Sequence, residues 1–226
     1  MNETKGQSLN PILLESAPLR TKIIESMREA IELGVLQPGK RLVEKDLCLQ
    51  LGVSRTSLRE ALRELESEGI IAQTSARGLT VIRISRRDAE NVYRIRADIE
   101  ALIVEQYIGA ATDHDLEAFG VICSDLVDAY IKGDFTGIIQ AKRVFYRHIC
   151  LVADNAVALE LLSRLTLRTA QLRRSSVTRA ERQSQSIAEI QHLAETIAAR
   201  DVAKARAAAL RHVEHAATSA IPFVEK

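Results

Sequence analysis

Three arginines, Arg55, Arg59 and Arg63, recur every four residues directly after the segment Leu51-Gly52-Val53-Ser54. On a helix that spacing gathers them into one stripe. A planar guanidinium can bond guanine O6 and N7 together, or grip a phosphate. Leu58, Ala61, Leu62 and Leu65 fall on the opposing face and supply the apolar side that would seat such a helix. A bland alternative is that the arginines only pair with Glu60, Glu64 and Glu66 on a solvated surface. Later in the chain, His192, His212 and His215 raise the option of a metal-dependent enzyme built on a helical bundle. No carboxylate–histidine set at ligand spacing accompanies them, and nothing resembles a nucleophile beside a base. The expectation is therefore that the protein is not an enzyme.

The elements that must position the arginine stripe are readable around it. Leu19–Leu33 is amphipathic and closes at Gly34, and a turn follows through Gln37-Pro38-Gly39. Glu44–Leu51 forms a short helix stopped by Gly52, and Ser54 caps a third helix over Arg55–Glu68, stopped by Gly69. Ile70-Ile71-Ala72 and Leu79-Thr80-Val81-Ile82 are β-prone runs joined through Ala76-Arg77-Gly78. Helix, helix, short turn, helix and hairpin is the order of a winged helix-turn-helix. The preceding helix, the turn and the wing, with Arg77 at its tip, favour DNA recognition over the bland alternative, because a wing-tip arginine can enter a minor groove.

The chain changes character near residue 85. All eight aromatic residues lie after residue 90, residues 138–226 contain no glycine, and no proline falls between Pro38 and Pro222. Such a stretch suits a helical domain. The division expected is a flexible segment over 1–15, a winged helix-turn-helix over 16–85, and an all-helical bundle over 86–226, giving a mainly α fold. Within the bundle six or seven helices are expected, with starts at Ser85–Asp88, Thr112–Asp115 and Asp134. The remainder reads as a break at Asp154-Asn155, a helix over Ala156–Arg174, a polar link over Arg174–Gln185, a helix over Ile187–Ala199 and a last one over Asp201–Ser219.

Composition sets the outer limits. The 226 residues are 46% hydrophobic and 27% charged, ordinary globular values. The apolar run Ala101-Leu102-Ile103-Val104 is far short of a membrane span, and the polar N-terminus lacks a signal-peptide layout. Cys48, Cys123 and Cys150, without CxxC spacing, suggest reduced thiols in a cytoplasmic protein. The net charge is +1, and neither part is basic in bulk: residues 1–85 hold 12 basic and 11 acidic side chains, and residues 86–226 hold 19 of each. A DNA partner would then be met by placement of charge rather than by its amount.

Residues 18–70 carry a resemblance. Pro18-Leu19, the run Ala30 to Leu42, the run Leu51 to Leu62, and Glu68-Gly69-Ile70 are similar to the GntR family of bacterial transcription regulators. The resemblance implies that Lys45, Ser54, Arg55, Thr56, Ser57 and Arg59 meet double-stranded operator DNA, and that Arg77 and Gly78 stand at the wing tip. Lys45 stands where the family often has arginine, a change that a phosphate contact survives better than a bidentate base contact.

Arg96-x-x-x-Glu100, then Phe145, Asn155, Asp201 and His212, resemble the FCD domain of the FadR subfamily. Many members hold a divalent metal with one aspartate and three histidines. Here the resemblance puts Lys142 at the aspartate position, Tyr146 at the first histidine and Ile190 at the second. It implies no metal and no cofactor, with Arg96, Lys142, Tyr146, Asn155 and His212 as effector-binding residues and Lys142 supplying the positive charge. His148, His192 and His215 read as ordinary histidines, and Arg173-Arg174 as a solvated helix end. The function expected is a homodimeric transcriptional regulator, a repressor of a catabolic operon released by a small organic acid, with no membrane partner. A DNA-binding dimeric scaffold without an effector is the alternative.

Overall fold

The computed structural model describes residues 17–74 and 78–224; the expected flexible segment over 1–15 and the wing-tip Arg77 lie outside the described residues. The chain begins with α1 (Ala17–Glu32), α2 (Glu44–Leu51) and α3 (Arg55–Ser67), followed by the hairpin β1 (Ile71–Thr74) and β2 (Gly78–Val81). Ile23, Ile24, Met27 and Ile31 of α1 pack on Leu58, Leu62 and Leu65 of α3, all buried. The α2–α3 turn rests on Gly52, whose φ of 66° and ψ of 32° place it in the left-handed region, where a Cβ is strained. Ser54 then caps α3, its side chain accepting from the Ser57 N–H at 3.2 Å.

The hairpin is antiparallel, with Ile71 opposite Val81 and Thr74 opposite Gly78. The segment before α2 joins its edge: the Gly39 and Leu42 N–H groups donate to the Val81 and Leu79 carbonyls, both at 2.8 Å.

Seven helices follow among the described residues: α4 (Arg86–Ala110), α5 (Asp113–Lys132), α6 (Phe135–Val152), α7 (Ala156–Arg168), α8 (Ala170–Val177), α9 (Ala180–Ala198) and α10 (Val202–Ala220). Their starts follow from capping chemistry. Ser85, Thr112, Asp134, Asn155 and Asp201 each accept from a backbone N–H of the first turn, and Thr112 with Asp115 forms a full capping box. α4 lies along α10, and α5 packs between α6 and α9 around Tyr107, Phe119, Tyr130, Ile149 and Ile197.

Two expectations fail together. The helix expected over Ala156–Arg174 ends at Arg168, and α8 restarts after Thr169. The polar link expected over Arg174–Gln185 is largely helix, the end of α8 and the start of α9. Its polarity does not mark solvent: Ser176, Arg182 and Ser186 are buried, turned inward toward a polar interior.

The two groups of elements meet along a seam. Leu167 of α7 is buried within the apolar core of α1–α3 and the hairpin. Arg174 of α8 donates to the Leu33 carbonyl at 2.8 Å, and Arg143 of α6 pairs with Glu32 at the end of α1. Leu167→Ala should therefore destabilise the N-terminal elements through a bundle residue, by about 2–4 kcal/mol as for other large-to-small core changes. Chemical denaturation followed by circular dichroism reads this, and a loss under about 1 kcal/mol would contradict the seam packing.

Candidate functional site

The first candidate surface is the free face of α3. Ser54, Arg55, Thr56, Arg59 and Arg63 are exposed and Ser57 is half-buried, while Leu58, Ala61, Leu62 and Leu65 are buried beneath them. Lys45 is exposed at the start of α2. That start is tied to α3 because Arg59 Nε donates to both oxygens of Glu44, at 2.9 and 3.1 Å. Gly78, with φ of 72°, opens β2. Two of the three glutamates that could pair with the stripe are engaged elsewhere: Glu64 lies 3.5 Å from Arg20, and Glu66 accepts the Gln73 N–H. The stripe therefore faces solvent with Arg59 as its one restrained member among the described residues, and an exposed pair of that kind is weak.

The second candidate is a cavity of ≈ 650 Å³ between α1 and the bundle. Four of the five sequence-chosen residues, Arg96, Lys142, Tyr146 and His212, line it. The fifth, Asn155, does not. It caps α7, accepting the Ala158 N–H at 2.8 Å and donating Nδ2 to Gln106, so its place in the motif reflects a helix start and not a ligand contact.

Arg96, only 6% exposed, donates through Nη2 to Glu100 Oε1 at 2.8 Å. Tyr146 donates its hydroxyl to the other oxygen, Oε2, also at 2.8 Å. Burial pushes the Tyr146 phenol well above its ordinary value, and the Glu100 carboxylate pushes it further. Arg96 and Glu100 are thus a buried pair, which a helix-surface reading of the same spacing would miss.

A second carboxylate organises the far wall. Glu189 of α9 receives both terminal nitrogens of Arg182, each at 2.8 Å, and Nδ1 of His212 and of His215, each at 2.7 Å. Burial alone would raise the Glu189 carboxyl, but the donors outweigh it, His212 first and then Arg182, and hold it at about 2. Burial holds His212 below its ordinary value despite Glu189. A neutral ring that donates Nδ1–H to a carboxylate leaves Nε2 as an acceptor.

Tyr130, 1% exposed, lines the cavity, and Lys142 Nζ stands 5.7 Å over its ring; burial would raise the phenol, but Lys142 and Ser186 outweigh it and hold it below its ordinary value. Arg173, expected at a solvated helix end, is 8% exposed and lines the cavity, its Nη2 donating to the Thr166 carbonyl at 2.6 Å. His148 lies 3.1 Å from the Tyr107 hydroxyl, and His192 is exposed.

The donor set does not fit a divalent ion. Lys142 and Arg182 bring positive charge to the region of His212, and no group of three or more His, Cys, Asp or Glu side chains among the described residues is arranged to hold a metal. Sequence reasoning missed Glu32, Tyr130, Arg173, Arg182 and Glu189. The one signal for Arg182 is the polar composition of residues 174–185, which reads as a link, while Glu189 falls in the helix expected over Ile187–Ala199.

Two family profiles match the chain. That of the bacterial regulatory proteins, gntR family, matches residues 19–81, and that of the FCD domain matches residues 91–215. The HTH-type transcriptional regulator McbR of Escherichia coli K12 is 29% identical over 155 residues, 69% of this chain and 70% of that protein. An uncharacterized HTH-type transcriptional regulator of Bacillus subtilis, YdhC, is 28% identical over 130 residues, and the match spans 58% of its length. The solved structure of E. coli McbR/YncC superposes with a TM-score of 0.78 at 26% identity, over 87% of this chain and 94% of that one. A putative GntR regulator from Rhodococcus sp. RHA1 superposes with a TM-score of 0.74 at 21% identity, over 92% of this chain and 100% of that one, a likeness of fold. No described helix is long and apolar enough to cross a membrane.

The Glu189 cluster makes a pH prediction. Its carboxyl is held below the ordinary 4.5 in the folded chain, so the stability it adds is complete above about pH 4.5 and is lost as pH falls toward 2. Denaturation of wild type and Glu189→Gln between about pH 6 and 3 should give a stability difference that is flat above 4.5 and shrinks below it. A difference that grows on acidification would contradict the assignment.

Proposed function

Because this chain belongs to the FCD family, with a gntR-type DNA-binding module ahead of that domain, it is a transcriptional regulator and not an enzyme, and we propose that it is a homodimeric, cytoplasmic repressor of a catabolic operon, released by a small organic acid. One observation carries this reading. The last three turns of α1, part of the DNA-binding module, contribute Glu25, Glu29 and Glu32 to the wall of the cavity that also contains Arg96, Lys142 and His212. Whatever fills that cavity touches the element on which the recognition helix is packed. A ligand with different affinity for two placements of α1 then changes DNA affinity by the same factor.

In this reading α3 enters the major groove with Ser54, Arg55, Thr56, Ser57 and Arg59, Lys45 grips a phosphate, and the wing with Arg77 and Gly78 reaches the neighbouring minor groove. Two copies read a near-palindromic site. The cavity's volume is in the range of small-molecule sites, and its excess of cations suits an organic anion. A polar cavity of this size weighs against a scaffold whose bundle only dimerises.

Arg59→Ala should weaken binding to an operator selected from random duplexes by about 1–3 kcal/mol, the worth of one good base contact. The exposed side chain leaves folding intact. Gel-shift titration reads the loss, and unchanged affinity would remove Arg59 from the recognition set.

A further inference from the structure

The charges around the cavity do not cancel, and the excess is localised. Arg96 is matched by Glu100, Arg182 by Glu189, and Arg143 by Glu32. Of the lining cations without an ion pair among the described residues, Lys22 and Arg147 are exposed, whereas Lys142 on α6 is half-buried and Arg173 on α8 is buried. Arg173 is buried, and burial holds its pKa below the ordinary guanidinium value; Glu32 is the main opposing influence, and Arg96 adds repulsion. Lys142 stands over the Tyr130 ring; burial would raise that phenol, but Lys142 with Ser186 and Arg182 outweighs it and holds the phenol below its ordinary value. Buried cations are matched in native interiors by anions that share their site. The bundle supplies one buried cation, Arg173, and one half-buried cation, Lys142, on two different walls of one cavity, and no carboxylate of its own in an ion pair with either.

We propose that the ligand is a small dicarboxylic acid, one carboxylate held by Lys142 and Tyr130, the other by Arg173 at the seam with α1. This rests on the reading of the cavity as an organic-acid site. The second carboxylate arrives next to Glu32, whose side chain is 8% exposed and whose partner Arg143 comes from the residue following Lys142. Two carboxylates at that point compete for the same guanidinium groups. The ligand therefore loosens the Glu32–Arg143 tie that fixes the end of α1 to α6. A monocarboxylate satisfies Lys142 and leaves that tie in place. In the unliganded protein Glu32 acts as the stand-in for the second carboxylate.

Isothermal titration calorimetry on the full chain tests this with two matched series, succinate to suberate and butyrate to octanoate. At least one diacid should bind about tenfold or more tighter than its length-matched monoacid. Glu32→Gln, which removes the competing charge at the seam, should tighten that diacid about tenfold again while changing the monoacid by less than about twofold. Lys142→Ala should weaken both. Monoacids that bind as well as their matched diacids at every length would overturn the proposal, as would a Glu32→Gln effect equal on both series, and either result leaves the organic-acid reading standing. No binding of any acid to wild type or variant would overturn that reading and this inference with it.

Discussion

A guanidinium withdrawn from water must be met by an anion or by several acceptors, and the seam between α1 and the bundle is organised around that requirement. Four of the arginines there have a carboxylate: Glu100 for Arg96, Glu189 for Arg182, Glu32 for the half-exposed Arg143, and Glu68 for Arg28. The first two pairs lie within the bundle and fix the cavity walls. Tyr146 completes the first pair, while His212 and His215 complete the second. The third pair crosses between the two groups of elements. In the proposed coupling, that position makes the placement of α1 depend on charge inside the cavity, and α1 packs on α3 through Ile23, Ile24 and Met27.

The outward face of α3 obeys a different rule. Its arginines remain in water, where pairs such as Arg59 with Glu44 are weak and exchangeable. A polyanion can displace them at little cost. With a net charge of +1, the protein has little bulk attraction for DNA, so in the proposed dimer base contacts and the spacing of its two modules would carry more of the affinity.

The N-terminal elements were legible because local chemistry dictates them. Gly52 in the left-handed region and the Ser54 cap sit where the sequence puts them, and α2 runs over the expected Glu44–Leu51. The starts of the bundle helices were legible for the same reason, through Ser85, Thr112, Asp134 and Asp201. The cavity was legible only in part. Arg96, Lys142, Tyr146 and His212 came from motif positions, whereas Glu32, Tyr130, Arg173 and Arg182 converge from four separate helices, and no local pattern announces such convergence. Polar residues 174–186 mislead for a definite reason: a helix that lines a charged cavity has the composition of a solvated link. Asn155 misleads in the opposite way, since a capping residue is as fixed in a motif as a ligand contact.

The proposed regulation requires coupling between the cavity and the DNA face through α1. Fluorescence anisotropy of the selected operator, titrated with the full chain with and without a saturating amount of the tightest-binding diacid, tests it directly. The account predicts that the acid weakens operator binding by about 5- to 150-fold, the usual size of coupling between two sites. Operator affinity that stays the same with the cavity filled would contradict it.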